Sequence, residues 1–407
     1  MRFPEFSGEW EQHSLSDYLR FKNGLNPDAK RFGKGIKFIS VMDILNNASI
    51  SYDCVRASVA ATEQEISDFE VEYGDVLFQR SSETLEDIGR SNIYVDSRHC
   101  VFGGFVIRGK KIGEYEPYFM KYRLDSPYAR KSIIVKGAGA QHFNIGQDGL
   151  SKVELFFPKY EEQVKIGDLL RIIDDRINTQ SKIIEELTTL RSALYDSMFC
   201  APEQEMPKFR IQSFSGKWQL CQLNEICSRK SIKNKDNLYS RVLTIAAQHG
   251  LVDQESFFKK RIASENLESY LCLEKGDFAY NKSYSSDYPW GAVKRLSNFD
   301  KGIISPLYIC FTPKPEVVDP DYLAHYFEST KWHSGISEIS GEGARNHGLL
   351  NMSVIDYFNT CHRIPGLDEQ KAIARRLNAI AHKLQTEQEY LELLNRQKDC
   401  FLKQMFI

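Results

Sequence analysis

A chain of 407 residues, 42% of them apolar, has room for two or three domains that each bury a core, which excludes a single small fold stapled by disulfides. Its 53 Lys and Arg against 55 Asp and Glu leave a formal net charge of −2, which disfavours a protein that coats nucleic acid without regard to sequence; any phosphate contact must come from local patches. The nine cysteines are an odd, scattered set with no C-x-x-C pair and no His/Cys cluster at zinc-ligand spacing, so a reducing compartment is expected and neither a disulfide framework nor a metal site is.

The opening, MRFPEFSGEW, lacks the charged-then-apolar pattern of a secretion signal, and no uncharged apolar run is long enough to span a bilayer; a cytoplasmic protein with no membrane partner is expected. Short β-rich runs follow (VLFQR, CVFGGFVIRG, SIIVKG), with a helical stretch around Tyr118. In YGDVLFQRS the Gly74-Asp75 turn leads a short apolar strand to Gln79, Arg80, Ser81 and Ser82. An amide beside a cation can read adenine bidentately while the cation meets guanine or phosphate. The same residues also suit a solvated loop behind an edge strand. Farther on, the glycines of GAGA precede Gln141, His142 and Asn144. Glycines permit close approach to a ligand, and they equally make a plain hairpin with incidental polar residues.

After Pro158 the period becomes helical. Glu161 and Glu162 suit a helix N-terminus, and residues spaced by fours and threes form a heptad seam: Ile166, Leu170, Ile173, Ile177, Ile184, Leu187, Leu194 and Met198, interrupted by Gln180 and Arg191. From Glu161 to Phe199 such a helix measures about 57 Å at 1.5 Å per residue. CAPEQEMPKFRIQ, from Cys200 to Gln212, carries two prolines and is a linker.

The chain then repeats itself. FSGEW ending at Trp10 returns as FSGKW ending at Trp218, 208 residues later; Gly74-Asp75 returns as Gly276-Asp277 after 202, and GAGA as GEGA after 204. Gln163 and Gln370, like Met198 and Met405, are 207 residues apart, so the helical segment has a fixed length where the front parts tolerate insertions. The second seam runs Ile373, Leu377, Ile380, Leu384, Leu391, Leu394, Phe401 and Met405, with Glu387 and Lys398 interrupting at the same steps. The second amide-cation loop is Asn281, Lys282, Ser283 and Tyr284, and the residues at the second Gly-rich turn are Arg345, Asn346 and His347. A shared frame with different tips would suit two different half-sites.

The layout is therefore a first front domain at 1–157, a helix at 158–200, a linker at 201–213, a second front domain at 214–363 and a second helix at 364–407. The expected class is α/β: tandem domains with twisted mixed sheets, each followed by a long helix, as a pseudo-twofold internal repeat. Catalytic signatures are absent. GKGIK at Gly33 is too short for a phosphate loop, no H-E-x-x-H, G-x-S-x-G or G-x-G-x-x-G is present, and SDYPW at Ser286 has the wrong order for an amino-methyltransferase motif.

RFPEFSGEW and FRIQSFSGKW, the GDVLF-type strand and the P-x-x-E/D-E-Q helix ending in Met-Phe, each occurring twice in order, resemble the specificity subunits of type I restriction-modification systems. The resemblance covers essentially the whole chain. It implies two target-recognition domains that each read half of a split site on double-stranded DNA, with the two helices packed as an antiparallel coiled coil that sets the interval. Half-sites one helical turn apart lie about 34 to 36 Å centre to centre. It further implies two methyltransferase subunits and restriction/translocase subunits as partners. S-adenosylmethionine, ATP and Mg would belong to those partners, and this chain would be non-catalytic with no cofactor or metal of its own. Two other readings stay open from the residues: an assembly scaffold without DNA readout, which suits the near-neutral charge, and a stand-alone methyltransferase or nuclease with unfamiliar motifs.

Overall fold

A computed structural model describes residues 1–139, 142–260, 266–340, 345–346 and 349–406, with 345–346 as backbone only. Its contacts divide the chain into two units, Met1–Lys182 with Gln388–Ile407, and Ile183–Glu387.

In the first unit the strands Leu19–Asn23, Val106–Lys111, Val76–Gln79 and Ser91–Ile93 lie side by side in that order, all antiparallel. Val76, Leu77 and Phe78 are apolar in succession because both faces of this sheet are covered. Val76 and Phe78 join a core with Leu15, Phe119 and Leu155, whereas Leu77 joins Ile39, Tyr94 and Phe102 on the opposite face. That second core lies under a mixed sheet of Ser58–Val59, Phe32–Ile39, Cys100–Phe102 and Glu70–Val71, whose middle pair is parallel. The strand Glu11–Ser14 pairs with Glu154–Phe157, which feeds the long helix Tyr160–Met198.

The second unit repeats this strand for strand. Cys227–Arg229, Ile309–Pro313, Phe278–Asn281 and Ala292–Arg295 make the antiparallel sheet. Gly250–Asp253, Val242–Ala246, Lys301–Ile304 and Leu271–Glu274 make the mixed one. Gln219–Gln222 pairs with Cys361–Ile364 ahead of the helix Leu367–Gln404. The α/β class with mixed sheets stands as expected. Each unit holds two four-stranded sheets, and the central strands are buried on both sides.

The repeated motifs turn out to be fasteners. Gln163 and Gln370 are buried at their helix starts, each donating to the carbonyl of the preceding proline (Pro158 at 3.0 Å, Pro365 at 2.9 Å) and accepting the backbone N–H of the residue that caps the helix Pro117–Asp125 or Pro320–Glu328, Glu116 or Asp319. Arg2 grips Glu162 with two hydrogen bonds of 2.8 and 2.7 Å and the Gly8 carbonyl; Arg210 does the same to Glu369 at 2.8 and 2.7 Å and to the Gly216 carbonyl. Asp75 and Asp277 are buried and accept the backbone N–H three residues before them, which fixes the turn at Gly74 (φ +90°) and Gly276 (φ +97°).

Every seam position of both long helices is buried or half-buried. Within the first unit the start of one helix runs opposite to the end of the other: Glu162 bonds Arg2 while Gln404 accepts from Met1, and farther along Asp174 pairs with Lys398 at 2.6 Å. The second unit shows the mirror arrangement. Arg210 holds Glu369 while Phe209 N–H donates to Ser197, and His325 links Tyr195 to Asn378. Met405 and Phe406 thus end in the core of the first unit with Trp10 and Phe119, and Met198 and Phe199 end in the core of the second with Trp218 and Tyr322.

Candidate nucleic-acid interface

The two loops singled out in each half of the sequence come together in space. In the first unit Ser81–Ser82 pairs antiparallel with Phe143–Asn144, with Ser81 opposite Asn144, and the backbone N–H of Ile145 donates to the Arg80 carbonyl at 3.0 Å. A third strip is added by Ala138, which exchanges hydrogen bonds of 3.0 and 2.9 Å with Asn144. In the second unit Leu350 N–H donates to the Lys282 carbonyl at 2.9 Å, Ser283 bridges to Leu349, and Arg345–Asn346 pairs with Leu349–Leu350. The same three-strip edge is therefore built twice, each time from a loop and a hairpin more than 50 residues farther along the chain.

The side chains divide by what they already do. Gln79 is buried, and its amide donates to the Ser81 carbonyl at 2.8 Å. Asn281 likewise turns back, accepting the Ser283 N–H at 3.0 Å. Both amides hold the turn; Gln79 is internal in doing so, whereas Asn281 stays half-buried. Tyr284 is half-buried against the core of its unit. Arg80 is half-buried, with its guanidinium on the Gly104 carbonyl at 3.3 Å; Lys282 is half-buried and Ser283 exposed. Ser81 donates its hydroxyl to the Asn144 side chain, Ser82 accepts the Thr84 N–H at 3.2 Å, and His142 is exposed. Gln141 and His347 lie outside the described residues, and for Arg345 and Asn346 only the strand itself is described.

Two features escape the sequence pattern. Phe105 is 69% exposed at a tip whose carbonyl accepts the Arg80 N–H at 2.9 Å, and Leu307, 202 residues later, is 66% exposed at the matching turn. An apolar tip beside a cation suits contact with a thymine methyl or an unstacked base. The glycine pair before Phe105 was the available sign. The second is concentrated charge. Lys230, Lys233, Lys235 and Lys301 line a cleft of about 750 Å³ in the second unit; Lys230 and Lys301 pair with Glu274, while Lys233 and Lys235 are exposed. Lys30 and Lys34 are exposed in the corresponding segment of the first unit. Such clusters have the charge that local phosphate contacts from a near-neutral chain would require.

Among the described residues there is no cluster of His, Cys, Asp and Glu able to hold a metal ion, and no helix is long and apolar enough to cross a membrane.

Comparison with known proteins agrees with this architecture. Residues 7–189 match the family described as the type I restriction modification DNA specificity domain. The type I restriction enzyme MjaVIII specificity subunit of Methanocaldococcus jannaschii is 21% identical over 98% of this chain and 91% of its own length. The MjaX specificity subunit of the same organism is 25% identical over 54% of this chain, and the match spans about half (53%) of that relative. In fold, the chain is similar to the S subunit of a type I restriction-modification system from M. genitalium, with a TM-score of 0.60, 14% identity and coverage of 100% of this chain and 99% of that one. It is also similar to a chain of a type I restriction-modification assembly, with a TM-score of 0.54, 12% identity and coverage of 98% and 97%. The family's specificity domain is thus matched over residues 7–189, the same fold is repeated in the second copy, and the chain as a whole is similar to specificity subunits of type I restriction-modification systems.

Proposed function

We propose that this chain recognises a bipartite site on double-stranded DNA, one half per unit, and brings methyltransferase and restriction subunits to it without catalysing a reaction itself. The observation that carries the reading is the duplicated three-strip edge, which places Arg80, Ser81 and Asn144 together in one unit and Lys282 and Ser283 beside Arg345–Asn346 in the other. The frame is constant and the side chains differ, as two readers of different sequences require. Phe105 and Leu307 would add apolar contacts, and the exposed lysines of each unit would hold phosphates and fix register. The 207-residue offset kept at both ends of the helical segment supports a fixed interval between the half-sites. S-adenosylmethionine, ATP and Mg are assigned to the partner subunits.

The test is single substitution in the assembled complex. Arg80→Ala should relax or weaken one half-site by about 1–3 kcal/mol and leave the other intact, and Lys282→Ala should do the converse. Equal loss at both halves from either change would remove these edges as the readers.

A further inference from the structure

In the first unit a polar cleft of about 340 Å³ is lined by Lys121, Asp125, Asp174 and Lys398 among others. Its seam cation is neutralised from within. Asp174 on the facing helix segment meets Lys398 at 2.6 Å and also accepts the Tyr122 hydroxyl at 2.8 Å.

The second unit builds a cleft of about 470 Å³ from matching elements, lined by Arg191, Tyr195, Lys294, Arg295, His325 and Glu328 among others. Arg191 occupies the seam step of Lys398, 207 residues away, but the residue matching Asp174 by the same offset is Ala381. The cation is retained and its carboxylate is gone. Nothing else replaces it: Glu328 is engaged by Lys294 at 2.6 Å, and Asp321 by Arg295 at 2.6 Å. His325 sits between Tyr195 and Asn378, and burial holds it below its ordinary range, hence neutral. Among the described residues Arg191 has no hydrogen bond or ion pair, and its Nε is buried without an acceptor. That N–H is left available to an anionic ligand, and a charge-assisted hydrogen bond is the strong kind.

We propose that this cleft binds a small oxyanion of the carboxylate or phosphate class, held by Arg191; Lys294 and Arg295 flank it, each paired with its own carboxylate. The anion stands in the second unit where the Asp174 carboxylate stands in the first. Arg191 is not part of the DNA-reading edge, so the site is independent of that reading.

The experiment is calorimetric titration of the full chain with inorganic phosphate and, separately, with succinate, at constant ionic strength in chloride. One saturable site is expected for at least one of them, and which anion saturates assigns the class. Arg191→Gln should weaken it at least about tenfold, the loss of one charge-assisted hydrogen bond. Ala381→Asp should abolish it by supplying the missing carboxylate, and Asp174→Ala should create a second site of the same kind in the first unit. Should Ala381→Asp not fold, Arg191→Gln decides alone. No saturable binding of either anion, or binding unchanged in Arg191→Gln, overturns the proposal.

Discussion

His362 is buried between the Tyr326 hydroxyl, 3.0 Å from Nδ1, and the Thr360 hydroxyl, 2.9 Å from Nε2. Both neighbours are neutral, so burial pushes its pKa from 6.5 down to about 4. The folded state therefore resists protonation that the unfolded chain accepts. Its contribution, about 3 kcal/mol, is complete above pH 6.5 and is lost as the pH falls toward 4. His325 and His333 are lowered by burial in the same direction. Urea midpoints of the second unit should fall between pH 6.5 and 4, and His362→Asn should flatten that slope; an unchanged slope would remove His362 as its source. A second residue-scale case is Gly167 inside the first long helix. A Cβ there would lie 2.3 Å from the Glu116 carboxylate and 3.0 Å from the Phe119 nitrogen, whereas the matching position carries Ala374 and the residue equivalent to Glu116 is the shorter Asp319. Gly167→Ala should destabilise by about 1–3 kcal/mol despite its helix propensity, and Glu116→Asp should restore most of the loss. Additive losses in that double-mutant cycle would contradict the pairing.

The long helices were legible as elements because their seam has a period that survives two polar interruptions, and the fixed 207-residue offset marked them as one repeated part. Their partners were not. Met405-Phe406 and Met198-Phe199 are chemically the same pair, and nothing in their sequence says that each finishes the core of the other copy's recognition domain. The candidate loops were legible in part for the same reason. Residue type located the edges, and the pairing of Ser81–Ser82 with Phe143–Asn144 joins two segments that the sequence treats separately. Yet an amide buried in its own turn, as Gln79 is, carries the same letter as an exposed one. The exchanged ends give a prediction at this scale. Phe406→Ala should cost about 3–5 kcal/mol and lower amide-exchange protection in the first unit, including Val76–Gln79, with little change at Phe278–Asn281; Phe199→Ala should do the opposite. Protection lost in the unit that precedes each helix in sequence would contradict the exchange.

For the molecule as a whole, the near-neutral charge that seemed to count against DNA binding is distributed unevenly. Exposed lysines gather on the segment after the first strands of each unit, while the long helices begin with acids held by Arg2 and Arg210. A chain so charged would hold DNA weakly alone and more strongly with partners that add phosphate contacts, so affinity should depend on assembly and fall steeply with salt. The central claim is that two different readers share one polypeptide at a fixed interval. Co-expression with its methyltransferase and restriction partners, followed by single-molecule sequencing of adenine methylation across the host DNA, tests it most directly. The account predicts one split motif, two short defined halves around an unspecified gap of constant length. A single contiguous motif, halves at variable spacing, or no motif from an assembled complex supplied with S-adenosylmethionine would contradict it.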